Sequence, residues 1–314
     1  MNKKDEREVQ EKLLNIYSGM LLASEKFEDG PKEHTVYEFN CPEFKELKLK
    51  YPLEEKAGKG SDFSKAVKLI KWLAPELAHN GYYAKDIPMN AASLLDYSFG
   101  KPENGINCVC KAKILQECCL ALNIFARRVW MYPASAYDED NHCVTEIYDR
   151  KMKKWIMTDL SQGGYFVDDR KTPLSVLELR ESFAENTKVT FVLAKQSLNN
   201  VAALYEKNFA QNVYFAKNLY YFCLEEVSTY GVRGGVRYVT PAGFDVKKVR
   251  LKNVGWNVKL GEREHWNDEI MNALTEAKDS FATKEYHISH IRTMQEEPDW
   301  KQLLNYNLAD LLKK

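Results

Sequence analysis

The sequence has no excess charge of either sign. Over 314 residues, 45 Lys and Arg balance 45 Asp and Glu, for a formal net charge of zero. Nucleic acid and anionic membrane surfaces demand a basic excess or a basic stripe, so the balance argues against both as main partners. No apolar run approaches the roughly 18 residues that cross a bilayer. The opening stretch MNKKDEREVQEKLL carries charge with no apolar core behind it, unlike a secretory signal. The expectation is therefore a chain in the reducing cytoplasm, with its seven cysteines as free thiols. An odd cysteine count at irregular spacing also speaks against a disulfide framework. Repeats and low-complexity tracts are missing too, and histidine is scarce, six in all.

What is present reads as an ordinary globular composition, 45% hydrophobic and 29% charged, in a chain long enough for one large domain or two. Residues 5–28 pattern as an amphipathic helix, with Leu13, Leu14, Ile16, Tyr17, Leu21 and Leu22 on a helical period, ended by Gly30 and Pro31. An irregular segment follows. GSDFSKAVKLIKWLAPELAHNG then predicts a helix capped by Ser61 or Asp62, with Ala66, Ile70, Leu73 and Leu77 as its buried stripe. Pro75 predicts a break near Ala74. A shorter helix at MNAASLLDYSF closes at Gly100 and Pro102, and a cysteine-rich helix runs from about Cys108 to Leu122.

Three strand-like runs come next, at 126–133, 142–149 and 154–161, the last two joined as a hairpin by RKMKK. One helix feeding an antiparallel sheet is an α+β arrangement. Beyond about residue 190 the pattern changes. QSLNNVAALYEKNFAQNVYFAKNLYYFCLEEV reads as helix, and the Gly-punctuated stretch after it as strands. Two further helices are expected near 266–280 and 298–313. The division expected is 1–58 as an N-terminal helical segment, 59–190 as the core and 191–314 as an accessory region of mixed structure.

The stretch GINCVCKAKILQECCLALNIFARRV packs four cysteines into one helix. Cys108, Ala112, Leu115, Cys119 and Leu122 share a face at 3.6-residue spacing, which should be the buried one. Cys119 is then a small core hydrophobe, Cys118 its neighbour, and Cys110 points away beside Lys111 and Lys113. Cys108 differs by sitting in the first turn, where unpaired amides and the positive end of the helix dipole favour a thiolate. A cysteine nucleophile needs a base and a group that orients the base. His142 opens a strand just downstream. In a hairpin turning near residues 150–153, His142 and Asp159 come out roughly opposite each other on one face.

These blocks resemble the transglutaminase-like superfamily, the papain-like cysteine acyl-transfer fold. The matching positions are Cys108, Ala112, Leu122, Ile124, Ala126 and Arg127, then His142, Glu146 and Tyr148, then Trp155 and Asp159. Asn123 stands for the usual Gly, Phe125 for the usual Pro, and Cys143 for an aromatic that often follows the His. The resemblance covers roughly residues 60–170. It implies a nucleophile helix packed on an antiparallel sheet and a Cys108–His142–Asp159 triad acting through a thioester on amide or peptide carbonyls. Water or an amine would resolve the thioester, giving hydrolysis or transamidation on a protein or peptide substrate, with no cofactor and no metal. The Cys108 amide is the natural first oxyanion donor, with Asn104 and Trp72 as side-chain candidates.

Structural roles compete for several of these residues. Glu146 and Tyr148 could line the cleft or be half-buried sheet residues, Arg127 could brace the sheet against an acid, and Trp155 fits a core position. His265, His287 and His290 lack partners for a metal site. Cys108 with Cys110, Cys118 with Cys119 and His142 with Cys143 nominally offer zinc ligands as a rival reading, against which Cys108 and Cys110 point about 200° apart on one helix and converge poorly on one ion. A further rival is an inactive member of the fold acting as a peptide-binding or scaffold module.

Overall fold

The computed structural model describes residues 3–28, 35–81, 83, 85–138, 140–197, 209–246, 248–249 and 252. Among them the chain is a mixed α+β protein with eight helices and antiparallel sheets. Helix α1 (Lys3–Ala23) is shorter than the sequence pattern suggests, and of its apolar set Leu21 is buried while Ile16 and Leu22 face solvent. The segment expected to be irregular holds the two-residue strand β1 (Val36–Tyr37) and two short helices, α2 (Pro42–Lys50) and α3 (Leu53–Ala57). Pro42 sits at the start of α2, where its missing N–H costs nothing, and Phe44 and Leu47 anchor that helix in the core.

Helix α4 (Asp62–Leu73) starts at the Ser61 cap, whose side chain accepts from the Ser64 amide, and stops at Ala74 as Pro75 dictates. Helix α5 (Ala91–Gly100) is capped in the same way by Asn90. Helix α6 (Cys108–Ala121) is the centre of the molecule: every residue from Cys110 to Ala121 is buried. This corrects the one-sided face expected from helical spacing. Strands lie on one side of α6 and α2, α4 and α5 pack around the rest, so no face is left to solvent. The two lysines pass through because carbonyls receive them: Lys111 Nζ donates to Leu77 O at 2.7 Å and Lys113 Nζ to Thr229 O at 2.8 Å.

The helix ends in a Schellman turn, with the Ile124 amide donating to Cys119 O and the Asn123 amide to Leu120 O, both at 2.9 Å. Asn123 holds φ +57°, a conformation open to Gly and, after it, to Asn. That turn delivers the chain into β2 (Ala126–Tyr132), followed by β3 (His142–Asp149) and β4 (Lys154–Thr158). Strand β5 (Gly164–Val167), helix α7 (Val176–Ala184) with a full capping box at Ser175 and Glu178, and strand β6 (Thr190–Leu193) complete this part.

The stretch after residue 208 departs from the helical expectation. Helix α8 (Phe209–Asn218) is short, and β7 (Tyr221–Glu225) follows, then β8 (Val227–Ser228) and β9 (Val236–Val239). The main sheet has the order β4-β3-β2-β7-β9, all antiparallel, so β7 is a central strand. The run YYFCL is apolar because both faces of β7 are covered, and Glu225 at its end is buried in an ion pair with Arg128. Buried apolar runs of this length suit helix and strand equally. Two smaller pairs, β5-β6 antiparallel and β1-β8 parallel, sit apart from the main sheet. Strands from both sides of residue 190 thus share one sheet. No described helix is long and apolar enough to cross a membrane. The helices expected near 266–280 and 298–313, and the tail histidines, lie outside the described residues.

Candidate active site

Cys108 is the first residue of α6, and its cap is Asn107, whose Oδ1 accepts from the Cys110 amide at 3.0 Å. That bond leaves the Cys108 amide without an intrahelical acceptor, as the first positions of any helix are. Ala112, one turn on, lets the helix lie close to the sheet, where Thr145 Oγ1 on β3 donates to Ala112 O at 3.0 Å. Cys108 is half-buried, whereas Cys110, Cys118, Cys119 and Cys143 are buried. Burial pushes their thiols up, that of Cys110 to about 12, which leaves them poor nucleophiles.

His142 is the first residue of β3, paired across the sheet with Met131 of β2. Its Nε2 lies 2.7 Å from Asp159 Oδ2. The β3–β4 register pairs Thr145 with Thr158, so Asp159 stands just past the end of β4, diagonal to His142 and not directly opposite. The shift is two residues, so the period of two keeps both side chains on one face, as expected. Asp159 is held by a tight turn: its Oδ1 accepts from the Gln162 amide at 3.0 Å, and its carbonyl accepts from the Gly163 and Gly164 amides. Gly163 has φ +77°, and a Cβ there would come within 1.9 Å of Lys195 O, so the turn requires glycine.

With Nε2 on the carboxylate, Nδ1 is the ring nitrogen left to face the Cys108 thiol, which acts on the imidazole electrostatically. Burial by itself would lower the His142 pKa. The charge and hydrogen bond of Asp159, joined by Cys108, outweigh it and raise the value from 6.5 to about 10. The imidazolium is therefore the favoured form at neutral pH. The ring is also clamped edge-on by Tyr214 and Phe215 of α8, at centroid distances of 5.5 and 5.6 Å. Lys217 holds α8 to the loop before β3 through Asp138 and Asp140, at 3.0 and 2.9 Å.

The other expected candidates have structural partners. Arg127 and Glu146 form a buried ion pair at 2.7 Å, the guanidinium lying 3.9 Å from the centroid of the Trp155 ring, and Glu146 Oε1 accepts from the Val176 amide. Tyr148 is fully buried and stacks edge-on with Trp155. The two side-chain oxyanion candidates have structural contacts of their own. Asn104 Nδ2 donates to Tyr97 O at 2.7 Å, and Trp72 packs on Phe99 beside a shallow outer groove lined by Pro75 and Glu76.

Two residues near the cysteine were not singled out from sequence. Lys111, one turn into α6, has its ammonium buried on Leu77 O and Ser197 Oγ, and burial lowers it to about 8. His79 lies on the segment preceding Gly105 in space, bridged in parallel to Ile106. Neither carries a local sequence signal, because both reach the site through contacts between distant segments. Among the described residues, no group of three or more His, Cys, Asp or Glu is arranged to hold a metal ion. Comparison with protein-family models, with curated proteins and with solved structures finds no match.

Proposed function

We propose that this chain is a cysteine-dependent acyl transferase or hydrolase of amide or peptide carbonyls, built on a transglutaminase-like, papain-like core. The observation that carries the reading is the His142–Asp159 pair at 2.7 Å, with the imidazole under the electrostatic influence of Cys108, the first residue of a helix. The Cys108 thiolate attacks the carbonyl carbon. Collapse of the tetrahedral adduct breaks the C–N bond, and the departing ammonia or amine takes its proton from His142 Nδ1. Water or an acceptor amine then gives a proton to His142 and attacks the thioester, and the C–S bond breaks to restore the thiolate. Asp159 keeps the ring oriented and stabilises the imidazolium throughout. The substrate is a protein or peptide. Seven free thiols suit a reducing compartment, and the cytoplasm is the proposed site of action.

Alkylation by iodoacetamide at pH 6, followed by peptide mass mapping, tests this. Cys108 should react about tenfold or more faster than the thiol of glutathione, and His142→Ala should bring it down to the glutathione rate. Equal rates for Cys108 and glutathione would overturn the catalytic reading in favour of a binding module on the same fold.

A further inference from the structure

We propose that His79 is the second donor to the oxyanion of this site, acting as a neutral imidazole beside the Cys108 backbone amide. The inference rests on the acyl-transfer reading of Cys108 and adds the group that polarises the substrate carbonyl.

The placement of His79 is built into the backbone. The Ile106 amide donates to Ala78 O and the Asn80 amide to Ile106 O, both at 3.1 Å, which fixes His79 alongside the residue two before the nucleophile. The approach is close enough to require a glycine next door. A Cβ on Gly105 would lie 2.9 Å from Asn80 Cβ and 3.2 Å from the His79 carbonyl carbon. Lys111 clamps the same segment from the helix through Leu77 O. These contacts fix the backbone of His79 against the segment that leads into α6.

The Nδ1 of His79 is buried and has no hydrogen-bond partner. An unsatisfied buried nitrogen of this kind is unfavourable until a ligand atom arrives to bond it. The groups that act on His79 electrostatically are Lys111, His142 and Asp159, which places it within the field of the dyad. Burial first, and then the neighbouring Lys111 and His142 cations, hold it neutral by lowering its pKa to about 4. So weak a base cannot take the thiol proton, a role His142 already fills. A neutral imidazole offers one N–H, and an N–H beside a carbonyl gaining negative charge stabilises that charge without transferring a proton. The neighbouring Lys111 ammonium adds positive potential to the surroundings of His79.

The test separates carbonyl chemistry from thiol reactivity. Acylation of Cys108 by p-nitrophenyl acetate passes through a tetrahedral oxyanion; alkylation by iodoacetamide does not. His79→Ala should slow acylation about 100-fold while alkylation of Cys108 stays within about twofold, and His79→Gln, which keeps an N–H, should recover most of the loss. The alkylation rate also reports that the variant is folded around an intact dyad. Unchanged acylation in His79→Ala would overturn the role of His79 and leave the Cys108 reading standing. Parallel loss of both reactions, or no rescue by Gln, would make His79 a support for the fold and equally overturn it. A wild-type protein that alkylates at Cys108 but never acylates there would sink the acyl-transfer reading and this inference together.

Discussion

His142 shows how one residue couples stability to pH. Its pKa rises from 6.5 in an exposed setting to about 10 in the folded chain, so folding favours the protonated ring. The stabilisation is fully present below about pH 6.5, shrinks as pH rises above it, and is gone once pH passes through about 10. Asp159→Asn removes the carboxylate that sustains the shift. Thermal unfolding from pH 7 to 10 should show the wild type losing its advantage over Asp159→Asn step by step. A constant difference in Tm across that range would contradict the assignment. Asn123 makes a smaller point at the same scale. Where a glycine would sit freely at φ +57°, Asn accepts the strain, so Asn123→Gly should be neutral or slightly stabilising in urea unfolding.

Elements are held together here by buried polar contacts as much as by apolar ones. The Arg127–Glu146 pair links β2 to β3 and reaches α7 through the Val176 amide, with both side chains fully buried. Glu146→Ala would strand the guanidinium and should cost about 3–5 kcal/mol in chemical denaturation. Replacing both partners with Met and Leu should recover most of that, since an apolar pair of similar volume leaves no charge unpaired. The turn after β4 is as exacting. Gly163→Ala forces a Cβ against Lys195 O and displaces Asp159 with it, so the variant should lose rapid alkylation of Cys108 as well as stability. If Cys108 reacted normally in that variant, Asp159 would not depend on the turn for its position.

At the scale of the whole molecule, the sheet joins segments far apart in sequence. Strand β7 pairs with β2 through Val129–Leu224 to Tyr132–Tyr221 and carries β9 on its other edge. Phe222 and Leu224 pack with Val129, Met131 and Val144 in one core cluster, and Phe215 of the preceding helix faces His142. A chain ending at residue 190 would bare β2 along an apolar edge. It should fail to give a cooperative unfolding transition by circular dichroism and should aggregate. The central helix tells the same story. Patterning placed Cys108, Ala112, Leu115 and Cys119 on an inward face, yet Lys111 and Lys113 are also buried, their ammoniums met by Leu77 O and Ser197 Oγ and by Thr229 O and Glu117.

Local chemistry was legible in the linear order of residues. A cysteine ahead of a helical period, strands of alternating or apolar pattern and a tight charged turn were enough to mark α6, the β2–β3–β4 meander and the shared face of His142 and Asp159. Face parity survives a two-residue slip in register, which is why that reading held when the direct pairing did not. The folded chain alone decided that β7 enters the middle of the sheet, that α8 closes over the imidazole and that His79 arrives beside Ile106. Each of these is a contact between segments with no shared period, and its free energy exists only once the chain has brought both sides together.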